Sequence, residues 1–331
     1  MLSVIAVLAI FPDQFNHIGE WGMSDSWPKP LQAATGPFRA DKLAGAAQGM
    51  GAHGEQLQAL AAAGLVPPDV MTGLTLFLLG NQPRRSDKAQ KIPGAGGGVA
   101  GGVWVRERFT IHRPLPADEA FHASGEAVGR HVHKGRRYGT NRCVTHGADG
   151  RLIANNLTTG LLAYKVEEGL ADQLEGPAPD SIAVAGPDHT VAANNPCLGA
   201  LRDLTAGQEM MGDAALVSLE LMEIRDTKNP DNPIHSDPEL AKKAGLSRPI
   251  AGGAHVLAFP LQVVLQQLGE QALLHGTAFD IRWKAPVYAG LTLLPSAKVR
   301  SVTADLVVID LLAELENGPT AMVGELQVPL A

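Results

Sequence analysis

The chain has 331 residues, of which 45% are hydrophobic and 18% charged, and a formal charge of −7; that length suits two domains of about 150 residues each. The acidic balance argues against a duplex-binding protein built on Lys and Arg contacts to phosphate, though local basic clusters remain open, and no apolar run reaches the roughly 20 residues that span a bilayer. Two cysteines, Cys143 and Cys197, stand far apart with no Cys or His at ligand spacing, which suggests neither a disulfide framework nor a zinc site and suits a reducing cytoplasm.

In chain order, the apolar run from Met1 to Ile10 has no Lys or Arg before it and is followed by Pro12, Asp13 and Gln14. It is read as a buried strand rather than as the apolar part of a signal peptide. Residues 40–80, rich in Ala, Leu and Gln, predict helix. Gly96-Gly97-Gly98-Val99-Ala100-Gly101 matches the Gly-x-Gly-x-x-Gly pattern, but it follows a polar stretch and leads into the strand-like Val103-Trp104-Val105-Arg106. The pattern holds a pyrophosphate only between a strand and a helix start, so here it is read as a loop. Strands are predicted near residues 103–112, 138–146 and 152–166, with a turn at Gly147 to Gly150. A linker opens with Gly176-Pro177-Ala178-Pro179-Asp180 and ends around Pro196.

The later segments are more legible. Val217, Leu219 and Leu221 alternate with Ser218 and Glu220 and predict a strand with one buried face. Asp237 is placed to cap a helix that begins at Pro238 and stops near Gly245. A second helix is predicted from near Gly253 through Val256, Leu257, Leu261, Val264 and Leu265, with Pro260 bending it or marking its first turns. Phe279, Ile281 and Trp283 alternate with Asp280, Arg282 and Lys284, and Asn317-Gly318 predicts a hairpin between residues 306–315 and 322–328. Strand, helices, then antiparallel strands describe a sheet wrapped around one long helix, a hot-dog arrangement that the first half repeats less clearly. The expectation is an α+β tandem (double) hot-dog fold, antiparallel sheets each wrapped around a long central helix, divided into units 1–190 and 191–331.

Asp231-Asn232-Pro233-Ile234-His235-Ser236-Asp237, then Ala241, then Arg248-Pro249-Ile250-Ala251-Gly252-Gly253 resemble the signature of the MaoC-like dehydratases, which include R-specific enoyl-CoA hydratases. Phe279 to Gly290 resembles the family's later strand and turn, and the likeness covers roughly residues 205–329. In the first half, Pro67-Pro68-Asp69-Val70 and Tyr138-Gly139-Thr140 resemble the degenerate N-terminal unit of double hot-dog members. The resemblance departs at one place: an Asp usually stands five residues before the His, where this chain has Pro230, with Asp231 one place away and Asp226 upstream. The family also often has His where Gly252 stands.

Adding water across a double bond conjugated to a thioester needs a base for the water, an acid for the alpha carbon and donors for the enolate oxygen. The resemblance implies that His235 takes the water's proton and that a backbone amide near Gly252 and Gly253, at a helix start, polarises the carbonyl. Asn232 either orients the water or braces its loop, and Asp231 is either the catalytic acid or a solvated loop carboxylate. Asp237 is read as a helix cap rather than an acid. Phosphates of a CoA carrier would need cations, for which Arg136 and Arg137 in the densest basic cluster and Arg248 beside the motif are the candidates.

The expected activity is that of a hydro-lyase on an acyl thioester, without metal or redox cofactor. It would act in the cytoplasm, as a homodimer, with no nucleic-acid or membrane partner. Altered chemistry on another unsaturated or hydroxylated carboxyl substrate, a hot-dog thioesterase and a non-catalytic subunit are the alternatives that Pro230 leaves open.

Overall fold

A computed structural model describes residues 27–80, 103–162, 166–226 and 233–331. The apolar N-terminal run, the glycine pattern at 96–101 and residues Pro230, Asp231 and Asn232 lie outside them. The first half contains β1 (Lys29–Gly36), α1 (Ala40–Gln48), α2 (Glu55–Ala62), α3 (Pro68–Met71), α4 (Leu74–Gly80), β2 (Val103–Ile111), β3 (Phe121–His133), β4 (Arg136–Gly147), β5 (Leu152–Leu161) and β6 (Gln173–Glu175). The second contains α5 (Leu198–Arg202), β7 (Glu209–Met211), β8 (Ala215–Val217), α6 (Leu219–Asp226), α7 (Pro238–Lys243), α8 (Gly253–Leu268), β9 (Thr277–Trp283), β10 (Leu291–Val302), β11 (Leu306–Leu315) and β12 (Thr320–Pro329).

The strands form one 12-stranded sheet in the order β1-β3-β4-β5-β2-β9-β12-β11-β10-β7, with β6 beside β3 and β8 beside β10. All pairings are antiparallel, and the halves join where β2 meets β9 in the register Phe109↔Phe279. The two phenyl rings stack across this seam, 4.1 Å apart and 9° from parallel. Alternation aims Glu107, Phe109 and Ile111 into the interior, while the outward residues of β2 hold the linker. Arg106 pairs with Asp180 and Asp280, Arg108 donates to the Pro179 carbonyl at 2.6 Å, and Thr110 donates to that of Ala185 at 2.7 Å. His112 Nδ1 lies 2.7 Å from Asp188 Oδ2. Four outward side chains at a spacing of two thus fasten the linker along the outside of the seam.

α8 is the central helix of the second half, and twelve of its sixteen residues are buried. A helix apolar around its whole circumference belongs in a core, and each fully buried Leu contributes about 1.5–3 kcal/mol. Pro260 sits inside the helix rather than in its first turn. Mid-helix Gln262 accepts from the backbone N–H groups of Gln56 and Leu57, so α8 caps α2 of the other half. The first half has no such long helix among its described residues: the 40–80 stretch is divided into four short helices, of which α4 lies against β1, β3, β4 and β5. No helix among the described residues is long and apolar enough to cross a membrane.

The structure corrects one expected strand. Only Ala215–Val217 is extended, and Leu219–Asp226 is helical. Ser218 is the reason: its Oγ accepts from the Leu221 N–H at 3.2 Å, the contact by which a serine starts a helix. Leu219 and Leu221 are then one turn's residues rather than one strand's face. The Asp237 cap, the Asn317-Gly318 turn and the alternation of β9 are as expected.

Candidate active site

Asp237 Oδ1 accepts from the N–H groups of Glu239 and Leu240 at 2.8 and 3.0 Å, which fixes the start of α7 and directs the preceding 3-10 turn, Pro233–His235. That turn is pinned to the strand-like run before α8. Ile250 N–H donates to the Ile234 carbonyl at 3.1 Å, and His235 Nδ1 lies 2.7 Å from the Ile250 carbonyl oxygen. On its other side the run is held by Ala251 N–H to Val287 O and Ala289 N–H to Pro249 O. Ile234, Ala241, Leu246 and Ile250 form a small core beneath it, against which Tyr288 and Val103 of the first half pack.

A carbonyl oxygen can only accept, so in the neutral His235 ring Nδ1 carries the proton and Nε2 the lone pair. The half-buried imidazole is thereby set in the orientation and tautomer of a base. Immediately beyond Ile250, Gly252 is the N-cap of α8 and offers no side-chain oxygen to the first turn. The first-turn amides and the positive end of a sixteen-residue helix are the donors an enolate oxygen requires. Gly253 is closely framed: a Cβ there would lie 3.1 Å from Trp104 Cε3 and Trp283 Cε2, so a side chain fits only if the indole rings give way. Trp283 Nε1–H donates to the Gly253 carbonyl at 3.0 Å, and Trp104 comes from the first half, so the helix head is framed from both.

The predicted cations divide. Arg248 is exposed and lies over Tyr288, 5.8 Å from the ring centroid, at the edge of the site. Arg137 is held by Glu167 through two hydrogen bonds of 2.7 and 3.0 Å, which keep that carboxyl below the usual range. Arg136 is half-buried, with Nε unpartnered among the described residues. Both sit where β3 turns into β4, and register carries Val103 to Leu161 to Tyr138 across the sheet. The hairpin is therefore two strands from Val103, ~10 Å away at the usual strand spacing. Of the expected site residues, His235, Gly252, Gly253 and Arg248 stand together, and Arg136 and Arg137 lie along the same end of the sheet.

Sequence reading missed three residues beside this site. Arg225 of α6 pairs with Asp69 of α3 at 4% and 1% exposure, and also donates to the carbonyls of Ala46 and Ala254. His255 on the first turn of α8 is 1% exposed and stacked on Phe259, with the Gly49 backbone beside its ring. Burial pushes its pKa well down, the Arg225 charge pushes it the same way, as does His235 when protonated, and a hydrogen bond with the Gly49 backbone opposes them. Asp69 did stand in the quoted Pro67-Pro68-Asp69-Val70 run, whereas nothing in local spacing marked Arg225 or His255. A groove of about 590 Å³ lies elsewhere, on the outer face of β9 to β12; several of its charges are paired, Arg300 with Asp310 and Glu325 and Lys298 with Glu209.

Fold and site together define a double hot-dog protein. The MaoC like domain family matches residues 229–305. In sequence, 62 residues are 39% identical to peroxisomal multifunctional enzyme type 2 of Mus musculus, spanning 19% of this chain and 8% of that protein. A solved MaoC-like dehydratase is similar over 91% of this chain and 97% of its own, with a TM-score of 0.65 at 16% identity. A conserved hypothetical protein of Mycobacterium tuberculosis, described as a double hotdog fold, is similar over 90% of this chain and 96% of its own, with a TM-score of 0.55 at 16% identity. Residues 229–305 thus match the MaoC like domain, within a double hot-dog fold that the chain shares with solved MaoC-like dehydratases.

Proposed function

We propose that the protein is a hydro-lyase on an acyl thioester, hydrating a 2-enoyl-CoA or dehydrating a 3-hydroxyacyl-CoA or the corresponding carrier-protein thioester. One observation carries the reading: His235 is held by the Ile250 carbonyl in the tautomer of a base, two residues from the uncapped head of α8. In hydration, His235 Nε2 removes a proton from water as the oxygen attacks the beta carbon. Electrons move onto the carbonyl oxygen, stabilised by amides at Gly252 and Gly253, and the alpha carbon is then protonated. Asn232 orients the water and Asp231 supplies the acid. Arg248, Arg136 and Arg137 meet the carrier's phosphates. The reaction is acid–base chemistry that requires neither metal nor redox cofactor, and the protein acts as a cytoplasmic homodimer.

Pro230, standing where an acid is usual, favours a second reading: a hot-dog protein with altered chemistry, a thioesterase or a non-catalytic subunit. Loss of enoyl absorbance with a short trans-2-enoyl-CoA, abolished in folded His235→Ala and Asp231→Asn, supports the lyase. Release of free thiol indicates the thioesterase, and binding without turnover that a partner protein restores indicates the subunit.

A further inference from the structure

Asp69 and Arg225 lie 156 positions apart in sequence and meet where almost no water reaches either. A pair so deeply buried is weak evidence for stability, because apolar side chains of similar shape commonly do as well. What such side chains cannot do is direct hydrogen bonds. Arg225 Nη1 donates to the Ala46 carbonyl at 2.9 Å, and Nη2 donates to the Ala254 carbonyl at 3.2 Å and to Asp69 Oδ2. These contacts come from α1, from the first turn of α8 and from α3. A planar guanidinium holds its donors at fixed angles, so the three elements are set relative to one another through one rigid group. The approach is close: a Cβ on Gly49 would lie 2.4 Å from Arg225 Cβ.

We propose that Asp69 and Arg225 are positioning residues for the site at the head of α8. The carboxylate of the first half orients the guanidinium, and the guanidinium fixes the first turn of α8, hence the amides of Gly253 and Ala254, against His235. Two further observations favour positioning over stability alone. Asp69 Oδ1 is buried with no partner among the described residues, which costs stability. The buried His255 ring, on the same turn of α8, lies within electrostatic reach of both Arg225 and His235. The site is then composite: its reacting groups belong to the second half and their alignment to the first.

The catalytic readout rests on the hydratase reading, so the test has two arms. The double variant Asp69→Leu/Arg225→Met replaces the pair by apolar side chains, and Arg225→Lys keeps the charge but loses the fork. Both are checked for folding by circular dichroism, and the lysine variant is the one read if the double variant does not fold. With trans-2-enoyl-CoA, the folded variant is expected to lose about 100-fold in kcat with KM within about 3-fold of wild type; this split is one that a merely structural pair would not produce. Hydrogen exchange of the amides at residues 253–256 is expected to quicken at least about tenfold. Wild-type kcat in a folded variant overturns the proposal. Should the wild-type protein leave enoyl-CoA unchanged, the hydratase reading fails on its own, and the exchange arm decides: faster exchange supports the clasp, and wild-type exchange overturns it.

Discussion

The two halves cover the same continuous sheet in different ways. In the second, α8 lies buried along its length, and its carbonyls and amides satisfy one another except at the ends and at the Val256 carbonyl, which Pro260 leaves without an intrahelical donor. In the first, α3 and α4 are four and seven residues long, and the inner sheet face supplies the contacts that short helices lack. Asn156 Nδ2 donates to the Met71 carbonyl at 3.4 Å and to Glu107 Oε1 at 2.9 Å. Thr158 donates to Thr75 at 3.0 Å, and the Cys143 thiol, pushed up to about 12 by burial, reaches the Leu74 carbonyl at 3.8 Å. A long apolar helix leaves one set of unused donors at its head, where chemistry can use them; two short ones take polar side chains into the core merely to be held. The proposed site therefore draws on the helix head of the second half, and the polarity of the first is internal.

The strongest way to break this comparison is to remove the base. His235→Ala is expected to lower turnover of an enoyl-CoA by about 10²–10⁴-fold while the thermal unfolding profile stays near wild type. A smaller loss would mean that the head of α8 is not where reaction occurs. Next comes the core. Leu261, fully buried on α8, is expected to cost about 2–5 kcal/mol on replacement by Ala, and Leu76 on α4, 8% exposed in a two-residue cluster, distinctly less. Urea unfolding measures both, and equal losses would show that the short helices are packed as tightly as the long one.

The same contrast decides what could be read from sequence. α7, α8, β9 and the β11–β12 hairpin were legible because their apolar positions recur regularly or their ends are marked, α7 by Asp237, α8 by Gly252 and the hairpin by Asn317-Gly318. β3 was not: its run holds Gly125 and Gly129 among charged residues, and a Cβ at Gly125 would lie 2.0 Å from the Arg142 carbonyl oxygen. There the close approach of β4 selects glycine and erases the alternation that marks a strand. His235 and the paired glycines were found because they lie within one short motif. Asp69 and Arg225 were not recognised as partners, because their contact exists only once the two halves have met.

Glu107 sharpens the comparison on the alkaline side. Burial pushes its carboxyl up to about 8, against hydrogen bonding with Asn156 and the neighbouring Thr158 hydroxyl. Between its ordinary value of 4.5 and about 8 the folded chain holds a proton that the unfolded chain releases. Its contribution is therefore complete at low pH and declines as pH rises, by up to about 1.4 kcal/mol per unit. Glu107→Gln, which keeps the shape and the acceptor for Asn156, should flatten the fall in unfolding free energy between pH 6 and 8. An unchanged slope would place the alkaline sensitivity elsewhere.

His255 gives the opposite sign in the other half, with the smallest effect. Its ring is buried and its pKa lowered, first by burial and then by the charge of Arg225, so the folded chain keeps it neutral. Below the ordinary histidine value of 6.5 the unfolded chain takes up a proton that the folded chain refuses, and stability is lost as pH falls. His255→Phe preserves a ring to stack on Phe259 and should remove up to about 1 kcal/mol of acid sensitivity between pH 6.5 and 5.5. The groups that face this ring, Arg225 and His235, remain in the variant, so the comparison with wild type isolates the contribution of His255. A variant as acid-labile as wild type would mean that His255 titrates normally and that water reaches the head of α8.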